Sequence, residues 1–160
     1  MKFLFKLVLI LTLCFAMTGC KSKVDNPSEA YVIQRLKTIE NVSDVSAVTE
    51  DNDPNKKLNK PGGYTATVYF TSDWVDQSNL RYAGDTVIDK GTRGGGAVEV
   101  YANVKDAEKR NKYLEALDGS ILDSGSHSVV GTCVVRTSCE LTASQQKELE
   151  TSVIEALTRP

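Results

Sequence analysis

The sequence predicts an α+β domain: a mainly antiparallel four-stranded sheet with three helices packed on one face. Three observations predict it. The periodicities run in the order helix, strand, strand, strand, helix, strand, helix. Most strand patterns alternate and leave one apolar face that helices must cover. The composition, 41% apolar and 25% charged over 160 residues, suits one domain with its own core and argues against disorder.

The first helix is expected over 27–40. Asn26-Pro27-Ser28-Glu29 reads as a cap, a proline at the first position and a glutamate behind it, and Ala30, Ile33, Leu36 and Ile39 recur at helical spacing. Val42 to Thr49 is β-branched and roughly alternating, a short strand. Asp51 to Gly63 holds Asp-Pro and Pro-Gly-Gly and reads as a connection. Residues 64–71 are the clearest strand, with Tyr64, Ala66, Val68 and Phe70 on one face and Thr65, Thr67, Tyr69 and Thr71 on the other.

Residues 73–95 form a long segment containing Trp74, Tyr82, Val87 and Ile88, of a length that usually carries function or local structure. A third strand is expected over 97–102, with Glu99 and Tyr101 turned away from the apolar face. Asn103 caps a helix near 104–118 that buries Ala107, Leu114 and Leu117. His127 to Thr137 reads as one interior strand, apolar on both faces in its middle. Thr142-Ala143-Ser144-Gln145 is a capping box opening the last helix, which buries Leu149, Val153 and Leu157. The second sheet face then carries Thr65, Thr67, Tyr69, Thr71, Glu99, Tyr101, Thr132 and Arg136, a polar and aromatic surface expected to meet solvent or a ligand.

The N-terminus has a different character. Met1 to Lys6 is basic, and the apolar run Leu7–Met17 is eleven residues, too short to span a bilayer as a helix but suited to an export signal. It ends in Met17-Thr18-Gly19-Cys20, which resembles the bacterial lipobox, although Leu is usual where Met17 stands. That resemblance implies cleavage between Gly19 and Cys20 and a diacylglycerol on the Cys20 thiol. The expected organisation is a lipoprotein signal peptide over 1–19, a lipidated tether over 20–26 and one domain over 27–160. The location is the extracytoplasmic face of the cell membrane, with two acyl chains giving stable attachment. Lys21 and Lys23 suit anionic headgroups.

From residue 62 onward, Gly62-Gly63-Tyr64-Thr65-Ala66, Val87-Ile88-Asp89-Lys90-Gly91-Thr92 and Val98-Glu99-Val100-Tyr101 resemble a group of bacterial surface domains of unknown function. Asp106-Ala107-Glu108-Lys109-Arg110-Asn111 and Leu141-Thr142-Ala143-Ser144-Gln145-Gln146 belong to the same likeness. The resemblance implies a membrane-attached extracytoplasmic domain and brings no activity with it.

Several constellations suggest chemistry and are better read as structure. Cys133 and Cys139 could form a disulfide outside the cytoplasm. A strand running from Cys133 to Thr137 carries the chain about 13 Å away, which disfavours the bond. His127, the sole histidine, lies about 20 Å from Cys133 along such a strand, too far for a dyad. It is expected to hold a backbone partner or to make a polar contact at a pocket mouth. Asp51-Asn52-Asp53-Pro54-Asn55 lacks the glycine and glutamate of a calcium loop, no zinc-ligand spacing occurs, and Gly91 to Gly96 lacks the ending of a phosphate loop. Arg110 and Asn111 fall where their helix meets the sheet. They are either interface residues satisfied by backbone or, with Trp74, one end of a small cavity.

The net charge of −2 gives no footprint for nucleic acid, and no cofactor is implied. The expected function is a non-enzymatic binding module at the membrane, with an envelope protein, a peptide or a cell-wall ligand as partner. Tyr69, Trp74, Glu99, Tyr101, Arg110, Asn111, His127 and Arg136 form the expected binding face. The alternatives are a cell-envelope hydrolase using Asp73, Asp85, Asp89 and Glu99, with the 73–95 segment as a lid, and an accessory subunit dimerising through its open sheet face.

Overall fold

In the computed structural model, residues 24–160 other than 121 and 124 are described. The expected signal peptide, with Gly19 and Cys20, lies outside the described residues. Five antiparallel strands form one sheet: β1 (Val42–Ala47), β2 (Ala66–Ser72), β3 (Gly95–Val100), β4 (His127–Val130) and β5 (Cys133–Thr137), in the order β1-β2-β3-β5-β4. Four α-helices accompany them among the described residues: α1 (Glu29–Leu36), α2 (Val87–Lys90), α3 (Val104–Glu115) and α4 (Ala143–Thr158). None of the described helices is long and apolar enough to cross a membrane.

The antiparallel α+β class is as predicted, with three corrections. The run His127–Thr137 is a hairpin of two strands. Gly131 takes φ +60° in a two-residue loop, so Val130 pairs with Cys133 and the sheet gains a fifth strand. β5 is interior, as its two-sided apolar pattern requires, and β4 takes the edge. A fourth helix, the single turn α2, lies within the 73–95 segment and is closed by a capping box between Thr86 and Asp89.

The third correction concerns the layers, because the helices occupy both faces. α1 and α4 place Val32, Leu36, Leu149, Val153 and Leu157 against Val68, Phe70, Val98, Val100, Cys133 and Val135. α3 lies on the opposite face, where Ala107 and Leu114 join Leu58, Tyr64, Tyr69, Ala97, Tyr101 and Val134 in a second core.

The helix ends are set by their caps. Asn103 and Thr142 cap α3 and α4 as predicted. α1 starts two residues later than Asn26 would have it, because Ser28 Oγ accepts from the Tyr31 N–H, and Asn26 has φ 42° and other partners.

The 73–95 segment is stapled down rather than open. Two 3₁₀ turns, Gln77–Ala83 and Gly91–Gly94, flank α2. Gln77 Nε2 donates to the carbonyls of Ser72 (3.3 Å), Val75 (3.3 Å) and Gly94 (2.7 Å). The glycine run serves close packing: a Cβ at Gly96 would stand 2.3 Å from the Arg136 carbonyl oxygen and 2.5 Å from the Phe70 ring.

Cys133 and Cys139 are both free thiols, the first buried and the second exposed. Burial pushes the Cys133 thiol up to about 12. A thiol reagent at neutral pH is therefore expected to modify Cys139 in the folded chain and to reach Cys133 only after denaturant is added. Equal reactivity of the two before denaturation would contradict this packing.

Candidate functional site

The second core is built around a buried charge. Glu99 points from β3 toward α3 and has no solvent exposure. Burying a lone carboxylate costs several kcal/mol, so cations and donors must meet it. Arg110 on α3 donates from Nε to Oε2 (2.8 Å) and from Nη2 to Oε1 (3.0 Å). Arg136 on β5 donates from Nη1 to Oε1 (2.9 Å), and the Tyr101 hydroxyl donates to Oε2 (2.8 Å).

The strand register makes this possible. Glu99 pairs with Val134, and Arg136 sits diagonally across, opposite the small Ala97. Burial pushes the Glu99 carboxyl up. The Arg136 charge, with the bonds and charge of Arg110 and the Tyr101 bond, outweighs it and holds the group below the ordinary glutamate value. Burial, then the charge and hydrogen bond of Glu99, raise Tyr101 far above the usual phenol range.

A second carboxylate organises the 51–63 connection. Asp53 is 4% exposed and accepts the backbone N–H groups of Asn55 (3.0 Å), Lys57 (2.6 Å) and Leu58 (2.8 Å), together with the Tyr64 hydroxyl. Burial raises this carboxyl, but those four bonds win and its pKa lies below the ordinary aspartate value. Asn55 Nδ2 reaches the Tyr69 hydroxyl at 3.3 Å, and the Tyr64 and Tyr101 rings meet edge to face at 6.3 Å.

Between this connection and α3 lies a cleft of about 500 Å³. Tyr64 and Tyr101 line it, Pro61, Gly62 and Gly63 lie on one side, and Asp106, Lys109, Arg110 and Tyr113 on the other. The Arg110 guanidinium lies 5.5 Å from the Tyr113 ring centroid. Lys57 and Lys109 are exposed at the rim, and Asp106 accepts from Asn103 Nδ2 at 2.8 Å.

The expected binding face is thus brought together in part. Tyr69, Glu99, Tyr101 and Arg136 do share one face, but at 3%, 0%, 3% and 8% exposure they lie beneath α3 and the connection rather than in solvent. Arg110 joins them through Glu99, a side chain rather than backbone.

Trp74 does not join this site. It packs against the first core, across the sheet from Arg110, so of the two alternatives the cavity shared by Trp74 and Arg110 is not formed.

Asn111 and His127 form a separate contact. His127 Nδ1 lies 2.8 Å from Asn111 Oδ1, and Nε2 lies 3.1 Å from Asp118 Oδ1. Both ring nitrogens are engaged by side chains, which leaves neither as a base for a nucleophile. His127 and Asp118 line a second hollow with Glu115, Asp123 and Cys139.

Asp73, Asp85 and Asp89 are exposed and do not face Glu99 across a cleft. Asp73 accepts from Ser43 and Asp89 caps α2. Among the described residues no group of three His, Cys, Asp or Glu side chains is placed to hold a metal ion.

The sequence reading missed Asp53, Asn55, Lys57, Lys109 and Tyr113. The available signal was Asp53-Pro54-Asn55 itself, a run whose aspartate can collect the N–H groups of its own turn.

The chain matches no protein-family model, no curated protein and no solved structure in the comparisons made. Its geometry is what carries a functional reading.

Glu99→Gln keeps the shape and removes the charge, leaving two guanidiniums on a neutral amide. We expect a loss of about 3–5 kcal/mol in denaturant unfolding. Because the folded values of Glu99 and Asp53 are depressed, their contribution is complete above the unfolded values near pH 4 and is lost as pH falls through the folded ones. Acid titration of stability should therefore be shallower in Glu99→Gln. An unchanged acid limb would contradict the assignment.

Proposed function

We propose that this chain is a lipid-anchored extracytoplasmic binding module and that the cleft over the Glu99 network is its ligand seat. The lipobox-like Met17–Cys20 motif supports the anchor. The observation that carries the binding reading is the cleft of about 500 Å³, whose floor is a buried, hydrogen-bonded polar network and whose walls are tyrosines and cations. Such a volume, with aromatic walls and a few fixed polar groups, suits a small ligand or a short segment of a larger one.

The Glu99 carboxylate answers Arg110, so the rim lysines Lys57 and Lys109 against the single Asp106 leave a positive excess at the cleft. The cleft therefore favours an anionic group beside a flat face that can stack on tyrosine. An acidic peptide segment of an envelope protein and an acidic cell-wall component both have that chemistry. The resemblance to surface domains from residue 62 onward implies membrane attachment, in keeping with the anchor, and no activity.

The hydrolase alternative needs two carboxyls across one cleft, and the exposed aspartates of the 73–95 segment do not supply them. Dimerisation through an open sheet face needs an open face, and α3 covers it.

Lys109→Ala and Tyr113→Ala alter exposed side chains and should leave thermal unfolding nearly unchanged. Tyr69→Ala and Tyr101→Ala, by contrast, would damage the core. With a photo-crosslinking residue at position 61, exposed on the cleft wall, adduct formation on intact cells should fall at least several-fold in the double variant Lys109→Ala/Tyr113→Ala. Adducts undiminished by that variant would remove the cleft as the seat.

A further inference from the structure

The residues just ahead of the first helix, Val24 to Asn26, are fastened to the sheet. The Val24 carbonyl accepts the Thr132 N–H at 3.1 Å. The Asn26 N–H donates to Thr132 Oγ1 at 2.6 Å, and Thr65 Oγ1 donates to Asn26 Oδ1 at 3.0 Å. The Val24 side chain is 8% exposed and belongs to the first core. Gly131 lies directly beneath: a Cβ there would fall 1.7 Å from the Val24 carbonyl oxygen.

These contacts pin the chain to one end of the sheet. At that end β4 turns into β5, β2 begins just after Thr65, and β3 ends at Val100, with the Tyr101 N–H on the Thr132 carbonyl. Only Lys21, Ser22 and Lys23 separate Cys20 from Val24, and four Cα steps reach at most ~14 Å.

Resting on the lipid-anchor reading, we infer that the domain is held against the bilayer in one orientation. The surface formed by the Gly131–Thr132 turn and the segment after β3 faces the lipid headgroups, and the end of β5 at Thr137 points away. The lysines at 21 and 23 add attraction to anionic lipid at the same place. Tyr64, just before β2, and Tyr101, just after β3, put the cleft at this end too. Its ligand would be met at the membrane surface.

The test uses the full acylated chain in phosphatidylglycerol–phosphatidylcholine vesicles containing a headgroup-attached quencher. Cys139 is exposed beyond the far end of β5 and takes a fluorophore directly. Ala102→Cys in a Cys139→Ser background places the same fluorophore at the near end, where residue 102 is exposed. Quenching at position 102 should exceed that at Cys139 several-fold. A flexible Gly-Ser insertion after Lys23, or Gly131→Ala to displace Val24, should level the two, and the insertion serves should Gly131→Ala not fold.

Equal quenching in vesicle-floated protein would overturn the orientation and leave the anchor standing. A difference that survives the insertion would overturn the role of the short tether. Protein that does not float with the vesicles would overturn the anchor, and the orientation with it.

Discussion

A carboxylate with no solvent exposure must be answered by nearby positive charge, and the answer given to Glu99 arranges much of this molecule. Arg136 comes from the neighbouring strand, Tyr101 from the same strand and Arg110 from a helix. Because Arg110 bonds both carboxylate oxygens, α3 cannot slide along the sheet without losing that geometry. Apolar contacts from Ala107 and Leu114 hold the helix down, while the ion pairs choose where it lies. A helix so placed closes the second sheet face and supplies one wall of the cleft.

Asp53 does for the opposite wall what Glu99 does for α3. A connection rich in Pro, Gly, Asn and Lys has little apolar surface with which to fix itself. Three backbone N–H groups and one tyrosine hydroxyl converging on Asp53 give it a defined shape instead. The two centres are joined by tyrosines: Tyr64 bonds Asp53 and meets Tyr101, which bonds Glu99. The cleft is thus framed by two buried carboxylates whose partners come from both of its walls.

Much of this was legible in the sequence. The capping residues Asn103 and Thr142 and the alternation in β2 and β3 gave elements in the right places. The hairpin was not recognised because Val129-Val130-Gly131-Thr132-Cys133-Val134 keeps its apolar character through the turn, and Gly131 alone marks the reversal. The exposed second face was the larger error. Alternation separates the two faces of a strand, but it does not say whether a polar face meets water or an answering charge. Glu99 and Arg136 look the same in both cases. Only Arg110, at the sheet-facing edge of its helix, pointed to a buried network, and its partner lay eleven residues away on another element. Asp53 was hidden for a related reason, since a turn aspartate reads as solvated until its donors are seen.

The most direct measurement is a double-mutant cycle on Glu99 and Arg110 by urea unfolding, comparing Glu99→Gln, Arg110→Gln and the pair. If the ion pair fixes α3 on the sheet, the two changes will couple by at least about 1.5 kcal/mol, the double variant being far less damaged than the sum of the singles. Additive losses would mean that Glu99 and Arg110 act independently, and that the helix is placed by its apolar contacts alone.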